Sequence, residues 1–253
     1  MKTIAIIPAR YASTRFPGKP LADLGGKPVV EWVYRGVSSI ECIDYVCVAT
    51  DDDRIKEAVE RFGGNCVMTR SDHHSGTERC YEVVNKLKAA GKKYDVMVNV
   101  QGDEPFVNKE QIETLLAAFN DENTKIATLA KKITTEEELM SPNNVKVVTD
   151  IWGDARYFSR TPIPYLRDCE RSQWLEKHDY LKHIGIYAYR TDILDDIMSL
   201  EESPLEACEK LEQLRWVEQG YPITVVETDC ENIGIDTPED LAIARQRLEQ
   251  ETR

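Results

Sequence analysis

The sequence predicts an α/β fold: a doubly wound, mostly parallel sheet carrying a small mixed or antiparallel insert. Three observations predict it. The segments Thr3–Ala9, Tyr45–Thr50 and Asp95–Val100 are apolar almost throughout, without the alternation of a strand that shows one face to water. Stretches of helical spacing separate them, and strands that alternate with helices form parallel sheets covered on both faces. After Asp121 the rhythm changes, and strand-like segments follow one another with little helix between them.

The elements follow in order. Thr3–Ala9 is the first strand, a loop of Pro, Arg, Ser and Gly leads out of it, and an amphipathic helix spans Pro28–Ser39. Tyr45–Thr50 is the second strand. Asp51-Asp52-Asp53 forms a turn and helix start, and Ile55, Ala58, Val59 and Phe62 mark the helix that follows. Cys66–Thr69 is a short third strand, Thr77–Ala90 a helix, Asp95–Val100 the fourth strand and Lys109–Phe119 a helix. In the insert, strands are expected at Ile126–Ile133, Val145–Asp150, Tyr157–Arg160 and Ile184–Arg190. Helical spacing returns over Leu205–Val217, Ile223–Glu227 is a strand, and Thr237–Glu249 is a closing helix. Its start carries Thr237 as N-cap, Pro238 at the first helical position and Asp240 three residues after the cap.

A chain of 253 residues fits one main domain. Within it, the doubly wound half covers residues 1–120 and the mixed insert residues 121–220. With 42% hydrophobic and 30% charged residues the composition is that of a globular protein, which sets disorder aside. A net charge of −13 excludes a surface made to coat nucleic acid, although a local basic pocket can still take a small anion. The seven cysteines form no C-x-x-C pair, which argues against a disulfide framework and for a reducing cytoplasm. The apolar run of MKTIAIIPAR stops at Pro8, too short for a signal-peptide core or a membrane span, so no membrane insertion is expected.

Ligands of open parallel sheets lie beyond the carboxyl ends of the strands, which directs attention to the loops after the first and fourth strands. The first places Arg10, Arg15, Lys19 and the permissive Gly18 within eleven residues, enough to wrap a triphosphate. It matches neither a Walker A loop nor G-x-G-x-x-G. The alternative is three solvated loop charges, but in so acidic a chain their concentration at a strand's carboxyl end favours an anion site. Asp103 follows the fourth strand after Gly102, where a carboxylate can hold a hard cation beside phosphate oxygens, or serve only as a turn residue. Asp236 stands just before the cap of the last helix and, taken alone, reads as a carboxylate facing the helix dipole. Two carboxylates with a triphosphate would form a magnesium site. His73-His74 lacks a third ligand at zinc spacing and reads as part of a loop. Asp51-Asp52-Asp53 superficially resembles the Asp-x-Asp metal motif of glycosyltransferases, but a turn and cap is the preferred reading.

The segments ARYASTRFPGKP, TRSDHHSGTER, VNVQGDEP, HIGIYAYR, SPLEACEKLEQLR and IDTPEDL, in this order, closely resemble the 3-deoxy-manno-octulosonate cytidylyltransferases nearly end to end. The resemblance implies a nucleotide-diphospho-sugar transferase-like fold, transfer of CMP from CTP to the sugar acid Kdo toward lipopolysaccharide, magnesium as cofactor and a homodimer. It implies that Arg10 and Lys19 neutralise the triphosphate, with residues 1–120 mainly CTP-binding and residues 121–220 containing the sugar-binding and dimerisation insert. Arg70, Ser75, Gly76 and Gln101 would hold the cytidine part, and Asp103 and Asp236 the metal. For the sugar acid it offers Arg160, His183, Tyr187, Glu209 and Gln213. Glu209 and Gln213, four apart, are expected on one helix face, with Glu206 and Glu212 as alternatives. His183 also reads as a satisfied core histidine. Residues 168–180, rich in charge, read as a variable loop near the sugar site with no catalytic assignment.

Overall fold

A run of apolar residues without polar alternation can be a strand only where both its faces are covered. Thr3–Pro8 (β1) meets that condition, with Ile4, Ala5, Ile6 and Ile7 fully buried. The computed structural model describes residues 1–12, 15–230 and 234–251 and divides into two units, residues 1–110 with 232–253, and residues 111–231.

In the first unit β1 is followed by a two-stranded hairpin, β2 (Asp23–Leu24) and β3 (Lys27–Pro28). Then come α1 (Val29–Ser38), β4 (Tyr45–Thr50), α2 (Asp53–Arg61), β5 (Cys66–Met68), α3 (Gly76–Ala89) and β6 (Val96–Asn99), after which α4 (Lys109–Ala117) starts in this unit and continues into the second. Strands β6, β1, β4 and β5 lie side by side in that order, all parallel, with Ile4 opposite Tyr45 and Met97. Helices α1 and α3 both pack on β1 and β4. Helix α1 buries Val29, Val30, Val33 and Val37. Asp52 caps α2, its side chain accepting from the Arg54 amide, so the Asp51–Asp53 run is the turn and cap expected of it.

The second unit begins at Gln111. It contains β7 (Ile126–Lys132), α5 (Glu136–Met140), β8 (Lys146–Thr149), β9 (Ala155–Ser159), α6 (Trp174–Lys177) and β10 (Leu181–Arg190). These are followed by α7 (Leu194–Met198), α8 (Pro204–Glu209), α9 (Gln213–Glu218) and β11 (Ile223–Glu227). Strand β11 runs parallel to β7, while the pairs β7–β10, β10–β8 and β8–β9 are antiparallel, which makes this sheet mixed. The chain then returns to the first unit with α10 (Pro238–Glu251), whose Leu241 and Ala244 join Leu24, Val29 and Ile235 in one apolar cluster.

Several sequence expectations need correction. The helix expected over Leu205–Val217 is two helices, because Lys210 adopts the left-handed conformation (φ 53°) and closes α8, its amide donating to the Glu206 carbonyl. Glu209 and Gln213 therefore do not share a helix face. The strand expected at Tyr157–Arg160 runs from Ala155 to Ser159, and β10 starts three residues before Ile184. Residues 168–180 are not a bare loop: they contain α6, and Trp174 and Tyr180 are buried against Ile133 and Leu139. The hairpin β2–β3 and the short helices α5, α6 and α7 were not foreseen, since segments of two to five residues carry no measurable period.

Candidate active site

At the carboxyl ends of β1 and β6 the first unit opens into a cavity of about 480 Å³. Arg10, Arg15, Lys19, Gly76, Gln101, Asp103 and Asp236 all line it, as the sequence reading expects, whereas Arg70 and Ser75 do not. Close backbone approach builds this crevice. A Cβ on Gly102 would lie 2.5 Å from the Pro8 carbonyl oxygen, so only glycine lets the segment after β6 cross the end of β1. That crossing brings Asp103 over the sheet. The Ile235 amide then donates to the Asp103 carbonyl at 2.9 Å and draws the segment before α10 alongside. Thr237 caps this helix as expected: its hydroxyl accepts from the Asp240 amide, and the Asp240 carboxylate accepts from the amides of Asp236 and Thr237. Asp236 is thereby fixed beside Asp103.

The two carboxylates converge on one ammonium. Lys19 Nζ lies 2.6 Å from Asp103 Oδ2 and 3.1 Å from Asp236 Oδ1, and Arg15 Nη2 lies 2.9 Å from Asp236 Oδ2. Lys19 is led there by Gly18, whose φ of 74° and hydrogen bond from its amide to the Tyr11 carbonyl form the turn. Tyr11 in turn lies under the Arg54 guanidinium, 3.3 Å from the ring centroid, while Arg54 pairs with Asp52. The start of α2 thus pins the loop that carries the cations.

Arg10 donates to the His73 carbonyl at 3.2 Å, which ties the first loop to the segment before α3. His73 is buried and its Nε2 meets the Glu82 carboxylate. Glu82 also accepts from Lys86 and from the Arg70 amide. Burial alone would raise the Glu82 pKa, but these hydrogen bonds outweigh it and bring the carboxyl down to about 2. His73 is therefore an anchor of its loop. Among the described residues no group of three or more His, Cys, Asp and Glu side chains converges on a common point. Ser75 is the N-cap of α3, its hydroxyl accepting from the Glu78 amide, and Arg70 is exposed and pairs with Asp72.

Sequence reasoning missed Arg79. It is fully buried yet lines the cavity; its Nη1 lies 3.1 Å from Asp51 Oδ1, and its Nη2 has no hydrogen-bond partner among the described residues. Burial lowers its pKa, with the Asp51 charge opposing. The signal was present in the sequence: Arg79 shares helical spacing with Val83 and Leu87, a cation on an apolar stripe.

In the second unit the structure separates the sugar-site candidates into two groups. Arg160 and Glu209 are occupied with each other and with backbone. Glu209 accepts from Ser159 Oγ at 2.7 Å and from the Arg160 amide at 3.0 Å, while the Arg160 side chain donates to the carbonyls of Glu209, Lys210 and Pro142. His183 and Tyr187 stand together, ring centroids 5.3 Å apart. Between them, at Gly185 and Ile186, β10 shifts register against β7, and Thr128 Oγ1 bonds across that irregularity. His183 keeps part of its surface open, but burial of the ring lowers its pKa to about 3, so it is neutral at pH 7. Gln213 Nε2 is buried with no hydrogen-bond partner among the described residues, and the buried Tyr187 hydroxyl approaches the Thr128 hydroxyl without a close hydrogen bond. Among the candidates these two retain unused hydrogen-bonding capacity. Of the alternatives, Glu206 is engaged by Arg215 and by the Ser203 capping box.

Comparison with known proteins places this geometry in context. A family model described as cytidylyltransferase matches residues 4–232. The chain is 54% identical over 245 residues to the 3-deoxy-manno-octulosonate cytidylyltransferase of Parabacteroides distasonis, covering 95% of this chain and 96% of that one. A solved CMP:2-keto-3-deoxy-manno-octonic acid synthetase complexed with CTP superposes with a TM-score of 0.91 at 44% identity, over 99% of this chain and 100% of that one. A 4-diphosphocytidyl-2C-methyl-D-erythritol synthase from Anaerococcus prevotii, 19% identical, matches with a TM-score of 0.62 over 98% of this chain and 99% of that one, a likeness of fold.

Proposed function

The chain belongs to the cytidylyltransferase family, among the 3-deoxy-manno-octulosonate cytidylyltransferases, and from that premise we infer that it transfers CMP from CTP to the anomeric hydroxyl of Kdo, with release of pyrophosphate. The product is the activated sugar for lipopolysaccharide biosynthesis. The observation that carries this reading is the crevice of the first unit, where two carboxylates converge inside a ring of cations at the carboxyl ends of parallel strands.

Arg10, Arg15 and Lys19 neutralise the triphosphate, and Gln101 and the glycine start of α3 at Gly76 border the nucleotide. Asp103 and Asp236 are the residues to hold magnesium. The fit rests on their chemistry: both offer hard oxygen donors, and one ammonium already sits between them as a stand-in cation. Among the described residues no third His, Cys, Asp or Glu joins them, which suits an ion that completes its shell with substrate oxygens and water. When bound, magnesium offsets phosphate charge and lowers the pKa of a coordinated hydroxyl. The protein's own contribution is alignment: a sugar oxygen, the α-phosphorus and the leaving pyrophosphate must lie in line, and the cations hold the phosphates there. In the second unit, the Tyr187 hydroxyl and Gln213 are available to hydrogen-bond the sugar acid, with neutral His183 beside Tyr187. A cytoplasmic homodimer belongs to the same proposal, and light scattering should give twice the 28.9 kDa of one chain.

Pyrophosphate release from CTP and magnesium with Kdo, with N-acetylneuraminate and with no sugar tests the reading. Release with Kdo alone is expected. Release with N-acetylneuraminate instead reassigns the sugar, and no release with any of them removes the activity.

A further inference from the structure

Lys146 is fully buried in β8, and among the described residues no carboxylate bonds it. Its ammonium donates to three backbone carbonyls: Ser141 at 2.9 Å, Asn144 at 2.6 Å and Arg160 at 2.6 Å. Three protons meet three acceptors, so the hydrogen bonding of the buried charge is complete. An apolar residue would fill such a site without the cost of desolvating a cation, so its presence points to what it holds in place. Ser141 ends α5, Asn144 precedes β8, and Arg160 directly follows β9.

The Arg160 end leads onward. Its carbonyl accepts from Lys146 and its amide donates to Glu209 Oε2 at 3.0 Å, which fixes both sides of this residue. Its guanidinium reaches the carbonyls of Glu209 and Lys210, the last turn of α8 and the left-handed residue that closes it. Four residues after Glu209 the chain starts α9 with Gln213, whose buried Nε2 is unpartnered. A contiguous set of bonds thus runs from Lys146 through Arg160 to the α8–α9 break that sets where Gln213 stands.

We propose that Lys146 is a positioning residue for the sugar-acid site of the second unit, acting through Arg160 and Glu209 on the α8–α9 break. Glu209 then belongs to the framework, with its oxygens occupied by Ser159 and Arg160, and Gln213 is the group presented to the ligand. The burial that lowers the Lys146 pKa is opposed by the Glu209 charge, in keeping with a cation retained opposite that carboxylate. This inference rests on the reading that the second unit binds the sugar acid.

The test compares wild type, Lys146→Met and the milder Ser159→Ala, which removes one hydrogen bond from Glu209. For each, the Michaelis constants of Kdo and CTP, the dissociation constant of CTP without sugar, and amide hydrogen exchange are measured. Lys146→Met is expected to raise the Kdo constant about ten-fold, and Ser159→Ala about three-fold, with CTP binding unchanged within about two-fold. Exchange should quicken at the amides of Arg160 and Lys210 and stay slow in β1. Parallel weakening of CTP and Kdo, or a folded Lys146→Met protein with wild-type Kdo kinetics, overturns the proposal. If Lys146→Met does not fold, Ser159→Ala decides: an unchanged Kdo constant overturns it and a selective rise supports it. A wild type that turns over no Kdo would instead sink the functional reading, and the exchange pattern still judges the positioning role on its own.

Discussion

Lys19 lies between two carboxylates that stand 84 and 217 residues from it along the chain. Its ammonium competes there with any metal and is also the charge expected to meet phosphate. Lys19→Met should therefore act in opposite directions: about ten-fold weaker CTP binding, and tighter binding of manganous ion to the nucleotide-free protein, read by electron paramagnetic resonance. Weakening of both, or of neither, would contradict the arrangement. Asp103→Asn and Asp236→Asn replace charges that keep partial access to water, so the fold should survive while kcat drops on the order of 100-fold or more. Thermal melting and pyrophosphate release together check this, and near-normal turnover in either variant removes its ligand role. Arg10 and Lys19 were legible as a cationic loop after a strand, and Asp103 as a carboxylate at a strand end. Asp236 was ambiguous taken alone, because its distinguishing feature is a neighbour brought by the fold: the Ile235 amide bonded to the Asp103 carbonyl.

Glycine and caps decide the local geometry that delivers these side chains. Gly102→Ala places a methyl group 2.5 Å from the Pro8 carbonyl oxygen, a backbone atom that cannot swing aside. A loss of about 1–3 kcal/mol is expected, with turnover falling further than melting temperature because Asp103 is the next residue. Equal stability and activity would show that the crossing is looser than described. The parallel half was legible because β1, β4 and β6 are apolar runs and its helices have a clear period or cap, as Thr237, Pro238 and Asp240 show. The break at Lys210 was not, since the left-handed residue there is neither Gly nor Asn and the helical spacing continues across it. Lys146 escaped notice for a similar reason. In V-K-V-V-T an alternating lysine reads as solvent-facing, whereas here three carbonyls receive it inside the unit.

The chain as a whole carries 45 acidic against 32 basic residues, yet it concentrates cations around one crevice. That contrast made a small-anion site legible from composition, while the sugar's identity came only through resemblance across the full length. Acid stability follows from two partly buried groups. His183 has its pKa lowered from 6.5 to about 3 by burial, and Glu82 from 4.5 to about 2 by its hydrogen bonds. Both folded values lie below the unfolded ones, so each group's stabilisation is full above its unfolded pKa and is lost as pH falls. Melting temperature should decline from pH 6.5 downward through His183, and more steeply below pH 4.5 as Glu82 joins. His183→Gln should flatten the upper part of that decline; an unchanged profile would place the histidine's charged form in water. The most direct measurement of the central claim is phosphorus magnetic resonance of wild-type protein with CTP, magnesium and Kdo. A new phosphodiester signal that grows one-for-one with pyrophosphate, and only when sugar is present, is the expected result. CTP left intact, or pyrophosphate appearing with CMP and no sugar phosphodiester, would contradict it.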